Sequence, residues 1–317
     1  MKTKTTSSRV LLSAAAVAGG LGLLAGTARG QAQVPTPTFG TGIEIINLNL
    51  SVTDAADNYV TDLGEEDFAV YEDGIRQDLS LFTHENLPIS MVIMIDTSAS
   101  MEEKIAVAQQ AAIRFTKTLR PVDLAQVVQF NDRATTLQPF TNDPEALKAA
   151  ILATETSGPT ALHNALYIAL KDLSRDRDPR ELRRRAIVLL SDGEDTASLV
   201  TDDQVLELAK KNEINIYSIS LRPNRPQDRA RQAFSQAEYL LTSLARETGG
   251  RVYFPASLGE LDAVYDRIAE ELRTLYSVGY VSSNSRRDGK WRRIVVRVPD
   301  REGVSVRHKL GYYAPQS

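Results

Sequence analysis

Two short apolar runs set the frame of this chain: residues 89–95 (ISMVIMI), followed at once by Asp96, and residues 186–190 (AIVLL), followed by Ser191 and Asp192. Neither run alternates polar with apolar, so each reads as a strand covered on both faces, as in a parallel sheet held between helices. Between and after them the period turns helical. Ile105, Ala108, Ala112, Phe115 and Leu119 recur at helix spacing until Pro121 closes the segment. Strand-like DLAQVVQF (123–130) and ATTLQPF (134–140) follow, and Asp143-Pro144 opens a helix through Ile151. Residues 160–173 form a helix with Thr160 at its head, after a Gly-Pro loop. Beyond the second apolar run come a helix at 201–211, a strand at 214–221 and a helix at 237–247 ended by Gly249-Gly250. A short strand RVYFP and an amphipathic helix through Leu261, Tyr265, Ile268 and Leu272 complete the block. Strands alternating with helices at this rhythm predict an α/β fold with a doubly wound, mostly parallel sheet.

The segments on either side are β in pattern. Ile46, Leu48, Leu50 and Val52 alternate with polar residues, and 68–71 and 75–81 read as two strands joined by Glu72-Asp73-Gly74. After Leu275, Tyr276, Val278 and Tyr280 alternate, as do Ile294, Val296 and Val298; Val304, Val306 and Leu310 finish the chain. Neither flank has strands enough for a core of its own. The expectation is that they pair into one small β-sandwich into which the α/β domain is inserted. The predicted organisation is a leader at 1–30, a linker at 31–42, an N-terminal β flank at 43–87, the α/β domain at 88–274 and a C-terminal β flank at 275–317.

The leader has Lys2, Lys4 and Arg9, then an apolar stretch at 10–28 rich in Ala, Gly and Leu, then Ala28-Arg29-Gly30. This is the layout of a cleavable signal peptide cut near Gly30, which predicts a secreted or periplasmic protein; a retained membrane anchor is the alternative. Four glycines in the stretch make it a mediocre permanent helix. No later apolar run approaches membrane-spanning length. The chain has no cysteine, so disulfides, thiolate metal sites and thiol nucleophiles are excluded. Its formal charge is −4, and residues 1–30 hold four positive charges and no acids, so removing them leaves −8 on residues 31–317. An acidic body argues against nucleic acid as a generic partner. Arg183-Arg184-Arg185, the tightest basic cluster, is expected to be a solvated strand entrance.

Ligands of an open parallel sheet collect at the carboxyl ends of its strands. Asp96 and Asp192 stand at two such ends, Ser98 and Ser100 follow Asp96 in DTSAS, and Thr160 begins the loop-to-helix segment between them. Two carboxylates and three hydroxyls buried there are costly unless satisfied, and a hard divalent cation satisfies all five. Taken alone, DTSAS also suits a helix cap. No nucleotide-binding glycine motif occurs. A serine nucleophile would need a base, and the three histidines are His84, His163 and His308, of which His163 lies one helical turn beyond Thr160. Glu194 and Asp195 read as solvated loop acids, and Trp291, Tyr312 and Tyr313 as sandwich packing.

The order Asp-x-Ser-x-Ser, then Thr, then Asp resembles the metal-ion-dependent adhesion site of von Willebrand factor type A (VWA) domains, and LARETGGRVYF (244–254) resembles that fold's last helix, turn and strand. The flanks, with DFAVYEDGIRQDLSLF before the domain and Tyr276-Ser-Val-Gly-Tyr280 and Asp288-Gly-Lys-Trp-Arg292 after it, resemble a secreted bacterial group related to VWA proteins and found in acidobacteria. Pro159 departs from the Gly-Gly-Thr common in that group and stiffens the loop carrying Thr160. The resemblance implies direct coordination of Mg²⁺, with Mn²⁺ or Ca²⁺ as substitutes, by Ser98, Ser100 and Thr160. Asp96 and Asp192 would hold the ion partly through water. It further implies a protein partner that presents an Asp or Glu carboxylate to the ion, and no enzymatic activity. The alternatives are a structural role in an envelope complex, with a metal that mainly rigidifies loops, and a metal-assisted hydrolase. The number of subunits is left open.

Overall fold

The computed structural model describes residues 45–84, 86–175, 183–192, 195–212, 214–221 and 236–316. The expected leader and linker lie outside them. In chain order the N-terminal flank supplies β1 (Ile45–Thr53), β2 (Ala69–Glu72), β3 (Ile75–Gln77) and β4 (Leu79–Thr83). The α/β block follows with β5 (Ile89–Asp96), α1 (Ile105–Thr116), β6 (Leu124–Phe130), β7 (Ala134–Thr141), α2 (Pro144–Leu152), α3 (Leu162–Arg175) and β8 (Arg184–Ser191). It continues through α4 (Asp202–Lys211), β9 (Ile214–Ser220), α5 (Gln236–Thr248), β10 (Val252–Tyr253) and α6 (Leu261–Thr274). The chain closes with β11 (Tyr276–Val281), β12 (Trp291–Arg297), β13 (Ser305–Arg307) and β14 (Gly311–Tyr313).

Six strands form one sheet in the order β10-β9-β8-β5-β6-β7, parallel throughout except for the antiparallel edge strand β7. All eight residues of β5 are buried. Met91, Ile93 and Ile95 face one core with Phe115 of α1 and Tyr265 and Ile268 of α6; Val92 and Met94 face the other with Leu166 of α3 and Leu241 of α5. Two faces to cover explain why β5 shows no alternation. The helix starts follow local chemistry. Asp143 caps α2 by accepting from the Glu145 N–H, with Pro144 in the first turn, and Thr201 and Gln204 form a reciprocal capping box at α4. α3 starts at Leu162, two residues later than its apolar pattern predicts, which leaves Thr160 in the preceding loop.

The flanks pair with each other, as expected. One antiparallel sheet runs β13-β1-β11-β4 and the other β14-β12-β2-β3, with Leu48, Leu50, Tyr276, Val278, Ile294 and Val296 between them. The single strand predicted over 75–81 is two. β3 pairs with β2 in one sheet, whereas β4 pairs with β11 in the other. Within β3 the apolar residue is not the one that is covered. Ile75 is exposed and Gln77 buried, because the Gln77 amide bonds Ser283 through both its ends.

A buried polar joint fastens the sandwich to the α/β block. Glu271 of α6 is fully buried and accepts from Arg307 of β13, from the Tyr217 hydroxyl at 2.8 Å and from the Tyr59 hydroxyl at 3.1 Å. Arg307 also donates to the carbonyls of Gly249 and Gly250, and Arg251 grips Asp57 with two bonds of 3.1 and 2.7 Å. Gly250 is compulsory here, since a Cβ would stand 2.0 Å from the Ile216 carbonyl oxygen. The expectation of a solvated arginine cluster at 183–185 fails at its centre. Arg184 is buried and donates to the Leu272 and Leu275 carbonyls, closing the C-terminal end of α6, and burial lowers its pKa to about 10.

Candidate metal centre at the strand ends

Asp96 ends β5 and is fully buried. Its Oδ1 accepts the Ser98 N–H at 2.9 Å and its Oδ2 accepts the Ser191 hydroxyl at 2.6 Å. Thr97 donates twice to the Phe130 carbonyl, from its N–H at 2.7 Å and its hydroxyl at 3.1 Å, which pins the departing chain to the end of β6. Ser98 is extended and residues Ala99–Met101 form one tight 3₁₀ turn. The turn brings Ser98 Oγ and Ser100 Oγ within hydrogen-bond distance, 3.0 Å, with Ser98 buried and Ala99 and Ser100 exposed.

The loop that carries Thr160 is held beside this turn by main-chain bonds. The Ser157 N–H donates to the Thr97 carbonyl at 2.8 Å, and the Ala99 N–H donates to the Gly158 carbonyl at 3.0 Å. Gly158 has φ +70, a conformation that only glycine adopts without strain. On its other side the Thr160 carbonyl accepts from the N–H groups of Thr196 and Ala197 at 2.9 and 3.0 Å, and the Thr160 N–H donates to Thr196 Oγ1 at 3.1 Å. The loops after β5, before α3 and after β8 are thus tied together in series. The third is braced in turn. Asn164 Oδ1 accepts from the N–H groups of Leu199 and Val200, and the Ser198 hydroxyl donates to Asp195 Oδ1 at 2.6 Å. His163 belongs to this brace, with Nδ1 3.1 Å from the Val200 carbonyl, and so does Asp195, whose side chain is about one-fifth exposed where a solvated loop acid was expected.

Asp192 stands one residue past β8 and is buried. Its Oδ2 lies 3.3 Å from the ammonium of Lys104, the residue just before α1. Burial pushes the Asp96 carboxyl above its ordinary pKa. The Ser191 and Ser98 hydrogen bonds oppose that rise, and the charge of Asp192 adds to it. Sequence reasoning missed two members of this arrangement, Ser191 and Lys104. Ser191 had a signal, as the residue between an apolar run and its terminal aspartate; Lys104 had one in its sign, a cation where a helix N-terminus favours an anion.

Among the described residues no three His, Cys, Asp or Glu side chains gather as a metal-binding group. The donors at the strand ends are two carboxylates and hydroxyls, a set that suits a hard cation and disfavours zinc or copper. The 3.0 Å between Ser98 Oγ and Ser100 Oγ matches the separation of about 3.0 Å for two oxygens at right angles around Mg²⁺, each about 2.1 Å away. On this observation the residues fit the ion.

Residues 91–194 match the family model of the von Willebrand factor type A domain. The chain contains a VWA domain. Among solved structures, a von Willebrand factor type A protein from Catenulispora acidiphila superposes with a TM-score of 0.50 at 13% identity, over 88% of this chain and 76% of that one. Proximal thread matrix protein 1 of the mussel byssus gives a TM-score of 0.50 at 16% identity, over 63% of this chain and 50% of its own. At these identities the likeness is one of fold. A UPF0353 protein of Nocardia farcinica is 30% identical over 216 residues, and one of Mycobacterium bovis 27% identical over 206. The matches cover 58% and 57% of this chain and 63% and 60% of those relatives, so the chain spans less than two thirds of their length. The VWA sheet accounts for the placement of Asp96 and Asp192: both leave neighbouring parallel strands, β5 and β8, at the same end.

Proposed function

We propose that this is a secreted or periplasmic, non-enzymatic VWA protein that binds an acidic side chain of a protein partner through a divalent cation. One observation supports the reading: the three loops that carry Asp96, Ser98 and Ser100, Thr160, and Asp192 leave the carboxyl edge of the sheet and are tied to one another by main-chain bonds. Ser98, Ser100 and Thr160 would hold Mg²⁺ directly, and Asp96 and Asp192 through water. When bound, the ion supplies an electrophilic position that accepts a carboxylate, and few direct carboxylate ligands keep that position strong. A loop-rigidifying role is the weaker use of the same ion, because main-chain hydrogen bonds already tie the loops. Catalysis lacks support as well, since the nearest histidine, His163, is engaged with the loop after β8.

Calorimetric titration of the purified chain with Mg²⁺ or Mn²⁺ is expected to give one site that Asp96→Ala removes. A partner captured from the organism's envelope extract should elute in EDTA, rebind when Mg²⁺ is restored, and be lost with Asp96→Ala. Partner retention indifferent to both EDTA and that substitution defeats the metal bridge.

A further inference from the structure

The start of α1 lacks what α2 and α4 have. α4 begins with a capping box and two acids, Asp202 and Asp203, in its first turn, as the positive end of a helix favours. α1 has no acid in its first turn and no side-chain cap, and the residue in the capping position is Lys104. Its backbone is fixed, the N–H donating to the Met101 carbonyl at 2.8 Å and the carbonyl accepting from Ala108 at 3.0 Å. The side chain is one-fifth exposed and reaches the Asp192 carboxylate, itself 7% exposed, at 3.3 Å. Local rules that fail without a local compensation mark functional positions, and here the compensation is across the rim, at Asp192.

We infer that Lys104 is the site's resident counter-cation: its ammonium neutralises Asp192 in the metal-free protein and competes with the divalent ion for that carboxylate. The inference rests on the metal reading above and adds its regulation. Without a metal, Asp96 and Asp192 repel each other within one buried rim, and the ammonium relieves part of that repulsion. A divalent ion arriving there meets a carboxylate already paired and a positive charge that must withdraw. Metal affinity is therefore set below what the five oxygens alone would give, and the metal-free loops keep their arrangement. Exchange of one cation for another makes loading responsive to metal concentration over a range that Lys104 defines.

The test is calorimetric titration of the full chain with Mn²⁺, and with Mg²⁺, for the wild type, Lys104→Met, Lys104→Gln and Lys104→Arg, together with the melting temperature of each in EDTA. The two neutral variants should bind Mn²⁺ about tenfold more tightly than the wild type, and melt lower in EDTA. Lys104→Arg, which keeps the charge, should bind no more tightly than the wild type. Neutral variants that bind Mn²⁺ equally or more weakly, while the wild type binds, overturn the inference and leave the metal reading intact. Binding by the neutral variants alone supports it in a stronger form, with lysine holding the ion out. Should none of the four proteins bind metal, the metal reading falls and the inference with it. Lys104→Gln serves if Lys104→Met does not fold.

Discussion

Two carboxylates of this protein are fully buried at opposite ends of their problem. Glu271, in the joint between α6 and the sandwich, meets a guanidinium and two phenols: Arg307, Tyr217 and Tyr59. Asp96, at the strand ends, meets two serine hydroxyl or amide donors and a second carboxylate nearby. The first has its charge cancelled by the protein. The second has neutral donors, a repelling neighbour and a lysine that serves Asp192 instead. Burial of a charge is tolerated only with a partner, so the first arrangement is finished as it stands, and the second is the one that the proposed cation would complete.

Removing each carboxylate should expose that difference. Glu271→Ala takes the carboxylate from Arg307 and leaves the buried Tyr217 phenol without its acceptor, which should lower unfolding stability by about 3 kcal/mol, equally in EDTA and in Mg²⁺. Chemical denaturation in the two buffers measures it, and a Mg²⁺-dependent loss would mean the joint is coupled to the strand ends. Asp96→Asn should do the reverse. Its melting temperature in EDTA should stay within about 3 °C of the wild type, while the rise on adding Mg²⁺ disappears. A drop in EDTA as large as that of Glu271→Ala would erase the distinction between the two sites. Ser191→Ala is a gentler probe, because it takes away only the hydroxyl that orients Asp96. Mn²⁺ affinity by calorimetry should weaken by about tenfold, with the fold intact by circular dichroism.

The same contrast governs what was legible in the sequence. The strands β5 and β8 were plain because burial on both faces leaves an uninterrupted apolar run. The five candidate ligands could be named as candidates because chemistry restricts oxygen donors at strand ends to few residue types. Pairing between the flanks followed from a count of strands too few to stand alone. The rest depended on contacts between distant segments. Nothing local tells that the chain changes sheets at Asp78 between β3 and β4, since both halves have β patterning. Arg184 looked like a solvated charge until the end of α6, about ninety residues later in the chain, supplied two carbonyls for it. The joint at Glu271 escaped for the same reason, its three partners coming from three separate segments.

The smallest effect concerns a third buried group, His308, whose neutral form is specified from both sides. Nε2 accepts the Val296 N–H at 3.2 Å, so the proton sits on Nδ1, which lies 2.6 Å from the Lys309 carbonyl. Protonating Nε2 would turn an acceptor into a donor facing a donor. Burial lowers the His308 pKa from 6.5; the Lys309 carbonyl opposes that, and the Lys309 charge adds to it. The sign follows from linkage. With the folded pKa below the unfolded one, the unfolded chain takes up the proton first, so this group's contribution is complete above about pH 6.5 and is lost as pH falls through the folded value. His84 is depressed in the same direction, by burial first and then by the charge of Arg184. Urea midpoints in EDTA should therefore fall between pH 7 and pH 5 in the wild type. His308→Gln, with an amide oxygen to accept from Val296, should reduce the slope and leave the part due to His84. An unchanged slope would mean that the imidazole takes its proton without losing the Val296 bond. The sandwich would then tolerate a new buried charge that the joint at Glu271 is built to avoid.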